Sequence, residues 1–181
     1  MKKQLLVTAA GEDRPGIVAR LTEIFVKHGA NLEESRMAIL GGEFAAIICI
    51  TVPDEGIENL TQELKGLDNE TITVTTKAMK PLDPKRFTTY VPFEINLTGA
   101  DHEGIVHRVS RFLRDHSINI QCMDTEVVHA PVSGTPLFHM KATVLVPPSI
   151  GFSELQHQLD EIGDEECVDI AVLARAVEAG S

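Results

Sequence analysis

The chain opens with an apolar, β-rich run, "QLLVTAA" at 4–10, closed by Gly11. That composition and boundary predict a strand. Apolar positions at Ile17, Val18, Leu21, Ile24 and Phe25 follow the three-and-four spacing of an amphipathic helix. Asp13 is suited to cap this helix and Pro15 to lie in its first turn. Gly29, after His28, is a stop signal. Strand character from Asn31 to Leu40, the pair Gly41 and Gly42, and a strongly apolar run from Glu43 to Val52 predict a hairpin. Ile57, Leu60, Leu64 and Leu67 form a second helical stripe, and "TITVTT" at 71–76 alternates with a period of two. The order β-α-β-β-α-β predicts a ferredoxin-like unit, a four-stranded antiparallel sheet with two helices on one face.

The pattern then repeats. "GEDRPGIV" at 11–18 returns as "GADHEGIV" at 99–106, and "HGANL" at 28–32 returns as "HSINI" at 116–120, both 88 positions later. "FAAIICITVP" returns as "FHMKATVLVP" at an offset of 94. The second copy therefore carries six extra residues, expected in "HAPVSGTP" at 129–136, where the first copy has its tight Gly-Gly turn. A turn is where an insertion is tolerated. The second copy predicts strands near 91–99, 119–130, 137–146 and 167–175, with helices near 104–116 and 152–163. The expected fold class is α+β, two tandem ferredoxin-like units at 1–80 and 91–181. They are joined by a linker, "PLDPKRFTTY" at 81–90.

Composition narrows the function. The net charge of -11 argues against nucleic acid or an anionic membrane surface as a direct partner. The excess is uneven: residues 1–80 sum to -3 and residues 91–181 to -9, much of it in the run from Glu154 to Asp169, read as a solvated helix face and turn. With no Trp, one Tyr and seven Phe, the core must be mostly Ile, Val and Leu. Cys49, Cys122 and Cys167 are odd in number and form no CxxC pair, so they read as reduced core or sheet residues of a cytoplasmic protein. The apolar stretch in the opening sixteen residues is too short and too soon interrupted for a signal peptide. No segment has the length of a membrane span.

The repeated stretch is the candidate chemistry. A Gly at a helix start, Gly16 or Gly104, costs helix propensity of roughly 1 kcal/mol relative to Ala. Two explanations stand open. Either the turn is so tight that a Cβ would clash, or a ligand approaches the backbone there. Free N–H groups at a helix start attract a carboxylate. Asp13 or Asp101 would accept an ammonium, and Asn31 or Asn119 offers both donor and acceptor. Such a set suits a zwitterionic amino acid. The same residues equally serve as N-cap and turn formers.

"GEDRPGIVARLTEIFVKHGANL" resembles the opening of an ACT domain, the small regulatory module of amino-acid metabolism. The second copy, "GADHEGIVHRVSRFLRDHSINI", matches less tightly, with His102, Glu103 and Ser117 where Arg, Pro and Gly are usual. Two such units with no attached enzyme resemble the glycine cleavage repressor family. They are also similar to the amino-terminal unit of formyltetrahydrofolate deformylase, whose catalytic domain has no counterpart here. The resemblance implies side-by-side sheets with amino-acid sites at their seam. The sites it implies set the strand-to-helix loop of one unit against the start of the second strand of its neighbour, and use Asp13, Gly16, Ile17 and Asn31, and Asp101, Gly104, Ile105 and Asn119. It further implies glycine or serine as ligand, a protein partner such as a transcriptional activator, a homodimer, and no cofactor or catalysis.

Other motifs fail on spacing. "HEGIVH" places its histidines five apart, off one helix face, so it is no HExxH metal motif and no metal is expected. There is no GxSxG, GxGxxG or Walker-type Lys. The fold also serves RNA binding, but that module needs sheet aromatics in a basic setting. His28 and His116 suit helix C-terminal capping. The alternatives are a ligand-free adaptor and an accessory subunit of an amino-acid or folate enzyme.

Overall fold

A computed structural model describes residues 2–67, 71–80, 87–130 and 134–175. The chain forms two compact units, Met1–Leu82 and Asp83–Ser181. The first holds β1 (Lys2–Glu12), α1 (Ile17–Lys27), β2 (Asn31–Leu40), β3 (Glu43–Pro53), a single 3-10 turn, α2 (Ile57–Lys65) and β4 (Ile72–Ala78). The second holds β5 (Val91–Ala100), α3 (Ile105–Asp115), β6 (Asn119–His129), β7 (Pro136–Val146), α4 (Phe152–Glu166) and β8 (Val168–Ala174). The sheet orders are β2-β3-β1-β4 and β6-β7-β5-β8, all neighbours antiparallel. This is the ferredoxin-like order, twice. No helix among the described residues is long and apolar enough to cross a membrane.

Each sheet is one-sided. On β3 the even positions from Phe44 to Val52 are buried and the odd ones are not. They pack on Leu21, Ile24 and Phe25 of α1 and on Leu60 and Leu64 of α2. Unit two builds the same core from Phe93, Ile95 and Leu97 of β5, with Val109 and Leu113 of α3 and Leu155 and Leu159 of α4. The edge strand β2 has no fully buried residue. The other edge of unit two is partly covered by Gln156 of α4. Its amide accepts from the Val172 N–H at 2.8 Å and donates to the Ile170 carbonyl at 3.0 Å, satisfying groups that an open edge would expose.

Some expectations need correction. Asp13 does not cap α1. Gly16 occupies the N-cap, with no side-chain cap bond, because the chain reverses through a left-handed residue and the helix starts only at Ile17. Cys167 lies in neither core nor sheet but exposed at the C-cap of α4, in a left-handed conformation. His116 does cap: its Nδ1 lies 2.9 Å from the Phe112 carbonyl. His28 likewise occupies the C-cap of α1, its N–H bonding the Ile24 carbonyl at 3.2 Å, and it also sets Nε2 2.7 Å from the Glu63 carboxylate, which Lys27 contacts too. Residues 81–86 of the expected linker and 131–133 of the expected insertion lie outside the described residues. What is described of the insertion closes on itself, the Ala130 N–H bonding the Thr135 carbonyl at 2.9 Å.

Candidate functional site

The repeated stretch builds the same turn in both units. In unit one, the Glu12 N–H bonds the Thr71 carbonyl at 2.9 Å, and the Asp13 N–H bonds the Gly42 carbonyl at 3.0 Å. The loop is thereby tied to β4 on one side and to the β2–β3 hairpin on the other. Gly16 then adopts φ 97° and ψ -4°, and Gly104 φ 99° and ψ -14°. A Cβ on either glycine would meet nothing within 4 Å. Steric clash is therefore not the reason for glycine here; the left-handed backbone is. The other repeated glycine has the opposite reason. A Cβ on Gly11 would lie 2.1 Å from the Thr71 carbonyl oxygen, and one on Gly99 would lie 2.4 Å from Val168.

The first intrahelical bond of α1 runs from the Arg20 N–H to the Gly16 carbonyl, 2.9 Å. The N–H groups of Ile17, Val18 and Ala19 precede it and have no acceptor among the described residues. They open on a hollow of about 480 Å³ lined by Asp13, Gly16, Ile17, Val18, Met37, Ile39 and Phe44, among others. Asp13 has no ion pair among the described residues, and Arg14 turns instead to Glu12 at 2.5 Å. A positive helix start and an unpaired carboxylate thus share one hollow. An α-carboxylate and an α-ammonium are complementary to that pair.

The structure brings Asp13, Gly16 and Ile17 together and leaves Asn31 apart. Asn31 and Gln4 both pair with Thr51, whereas Glu12 pairs with Glu43. Asn31 therefore lies at the opposite end of the sheet from the turn, eight residues of strand or about 27 Å away. Its amide donates to the Glu33 carboxylate at 3.0 Å, and this bond holds the Glu33 carboxyl below its ordinary range. Unit two has the same separation. Asn119 lines a different hollow, of about 590 Å³, with Phe87, Tyr90 and Arg114.

Around Asp101, Gly104 and Ile105 the second turn is fastened, which sequence reasoning missed. His102 sets Nε2 2.8 Å from the Glu166 carbonyl and Nδ1 3.2 Å from the Glu103 carbonyl. Carbonyls only accept, so both nitrogens satisfy them only as the imidazolium. The Glu166 carbonyl, then the Glu103 carbonyl and the nearby carboxylates, raise the His102 pKa above its ordinary value. Arg108 reaches the Glu165 carboxylate from the first turn of α3. In unit one the residues at these places, Arg14 and Arg20, make no such tether to α2 among the described residues. Among the described residues no group of three or more His, Cys, Asp or Glu could hold a metal.

Residues 3–77 match the family model of the ACT domain. By that match the first unit is an ACT domain. The glycine cleavage system transcriptional repressors of Escherichia coli strain K12 and Shigella flexneri are each 27% identical to it over 155 residues, spanning 84% of this chain and 80% of theirs. The UPF0237 protein MK1213 of Methanopyrus kandleri is 33% identical over 67 residues, 36% of this chain and 74% of its own. An unknown protein from Galdieria sulphuraria, solved by crystallography, superposes with a TM-score of 0.84 at 29% identity, over 97% of this chain and 100% of that one. The ACT-domain match falls on the unit with the open hollow. The second ACT-type unit shares its strand order and its left-handed glycine.

Proposed function

We propose that this chain is a non-catalytic regulatory protein that binds an amino acid at the β1–α1 turn of its first ACT unit. The ligand carboxylate sits on the N–H groups of Ile17, Val18 and Ala19, and its ammonium faces Asp13. Gly16 keeps that backbone bare. One observation carries the reading: three N–H groups without acceptors and a carboxylate without an ion pair, both among the described residues, line the same hollow. Asn31 contributes nothing within that unit. In the second unit, Asp101, Gly104 and Ile105 form a subordinate site, its turn fastened by His102 and Arg108.

In its finer form, the chain regulates gene expression for glycine cleavage or one-carbon metabolism, the role named for the Escherichia coli and Shigella flexneri relatives. It does so through a protein partner, since its charge of -11 opposes direct contact with DNA. A ligand switches such a contact only if it binds one state better, and about 1–3 kcal/mol of coupling is usual. The open edges at β2 and β6 support pairing with a second copy.

Thermal shift of the purified chain against the twenty amino acids tests this. A ligand at about one hundred times its dissociation constant adds about 2.7 kcal/mol of stability. Stabilisation by at least one amino acid, lost in Asp13→Asn, is expected. No stabilisation by any of them at millimolar concentration supports the ligand-free adaptor instead.

A further inference from the structure

We infer that the amino acid taken by unit one carries a large apolar side chain, of the leucine, methionine or phenylalanine class, and that Met37 and Ile39 select it. This rests on the amino-acid reading above and replaces glycine or serine as the ligand. Beyond Asp13 and the helix start, the hollow is walled by Val18, Met37, Ile39 and Phe44. Ile39 pairs with Phe44 and Met37 with Ala46, so both point to the sheet face that carries the core. Phe44 and Ala46 are buried there, at 6% and 3%, yet Met37 and Ile39 remain 40% and 60% exposed. The helices cover the inner strands and leave this part of the edge strand bare.

Ligand chemistry follows from what that wall offers. A glycine would anchor at the turn and leave the wall in water. A serine would set its hydroxyl against apolar side chains. A four-carbon or aromatic side chain would cover the wall, and each buried methylene is worth about a fourfold gain in affinity. A hollow of about 480 Å³ has room for it. The wall is also particular to unit one. Register aligns Met37, opposite Ala46, with Thr125, opposite Met140, and Ile39, opposite Phe44, with Val127, opposite Phe138. The second unit thus offers a smaller and more polar surface at the same place.

Calorimetry on the full chain with leucine, methionine, phenylalanine, glycine and serine decides the matter. At least one apolar amino acid should bind about tenfold or more tightly than glycine and serine. Met37→Thr and Ile39→Thr change exposed side chains, and unchanged melting without ligand verifies their folding. Each should weaken the apolar ligand about tenfold and leave glycine's affinity unchanged, whereas Asp13→Asn should weaken every ligand. Glycine or serine binding as tightly as the apolar set, and lost in Asp13→Asn, overturns the side-chain class and keeps the functional reading. Apolar binding indifferent to both wall variants overturns the role of Met37 and Ile39. Binding of none of the five overturns the side-chain class, and the thermal-shift screen of all twenty amino acids then decides the functional reading.

Discussion

Gly16 and Gly104 stand 88 positions apart and hold nearly the same left-handed backbone, φ 97° and 99°, each directly ahead of a helix. Neither has a neighbour that a Cβ would strike. An L-residue in that region costs about 1–2 kcal/mol, so Gly16→Ala and Gly104→Ala should each destabilise their own unit by that amount. Gly11→Ala should cost about 3 kcal/mol or more, because its Cβ would drive the β1 backbone off Thr71. Urea unfolding of the four single variants, with Gly99→Ala as the partner of Gly11→Ala, separates the two causes. Equal losses at both kinds of glycine would contradict them.

Ser117 carries the same kind of strain without glycine to relieve it. It follows α3 with φ 56°, where unit one places Gly29 at φ 65° after α1. Ser117→Gly should stabilise unit two by about 1 kcal/mol, and Gly29→Ser should destabilise unit one by a similar amount. The shift in the urea midpoint of each unit reads this directly.

His102 makes the second unit sensitive to pH. Its imidazolium donates to the Glu166 and Glu103 carbonyls, with the Glu166 and Asp101 carboxylates adding negative charge around it. A histidine whose folded pKa is raised contributes stability that is fully present below its unfolded pKa of about 6.5 and lost as pH rises through the folded value. The melting difference between the native chain and His102→Gln should therefore be larger at pH 6 than at pH 8.5. A difference that is flat or grows with pH would contradict the tether.

Glu63 works in the opposite direction in unit one. Lys27 first, then His28, hold its carboxyl below the ordinary range. Its contribution is present above the unfolded carboxyl value and lost as pH falls through the folded one. Glu63→Gln should therefore lose stability near neutral pH and converge with the native chain in acid, as thermal melts across that range would report.

Much of this architecture was legible in the sequence because its causes are local. The period-two run on β3, the three-and-four spacing on α1 and the Gly41–Gly42 turn fix element types by backbone and burial rules alone. The 88-residue repeat doubled every such signal. What stayed hidden depends on tertiary placement. Nothing near Asn31 in the sequence gives the distance that strand pairing sets between it and Asp13 of the same unit. Asp13 looks like an N-cap until Gly16 turns left-handed and delays the helix. His102 becomes a tether only when the carbonyl of Glu166, 64 residues away, closes on it. The apolar signal at Met37 and Ile39 was visible as strand character, but its exposure follows from β2 lying at the edge.

The most direct test of the central claim is amide chemical-shift mapping of the chain titrated with leucine. The N–H resonances of Ile17, Val18 and Ala19 should move most, with the side chains of Met37 and Ile39 moving beside them and Asn31 staying still. Saturating leucine that leaves Ile17, Val18 and Ala19 unmoved would contradict the account.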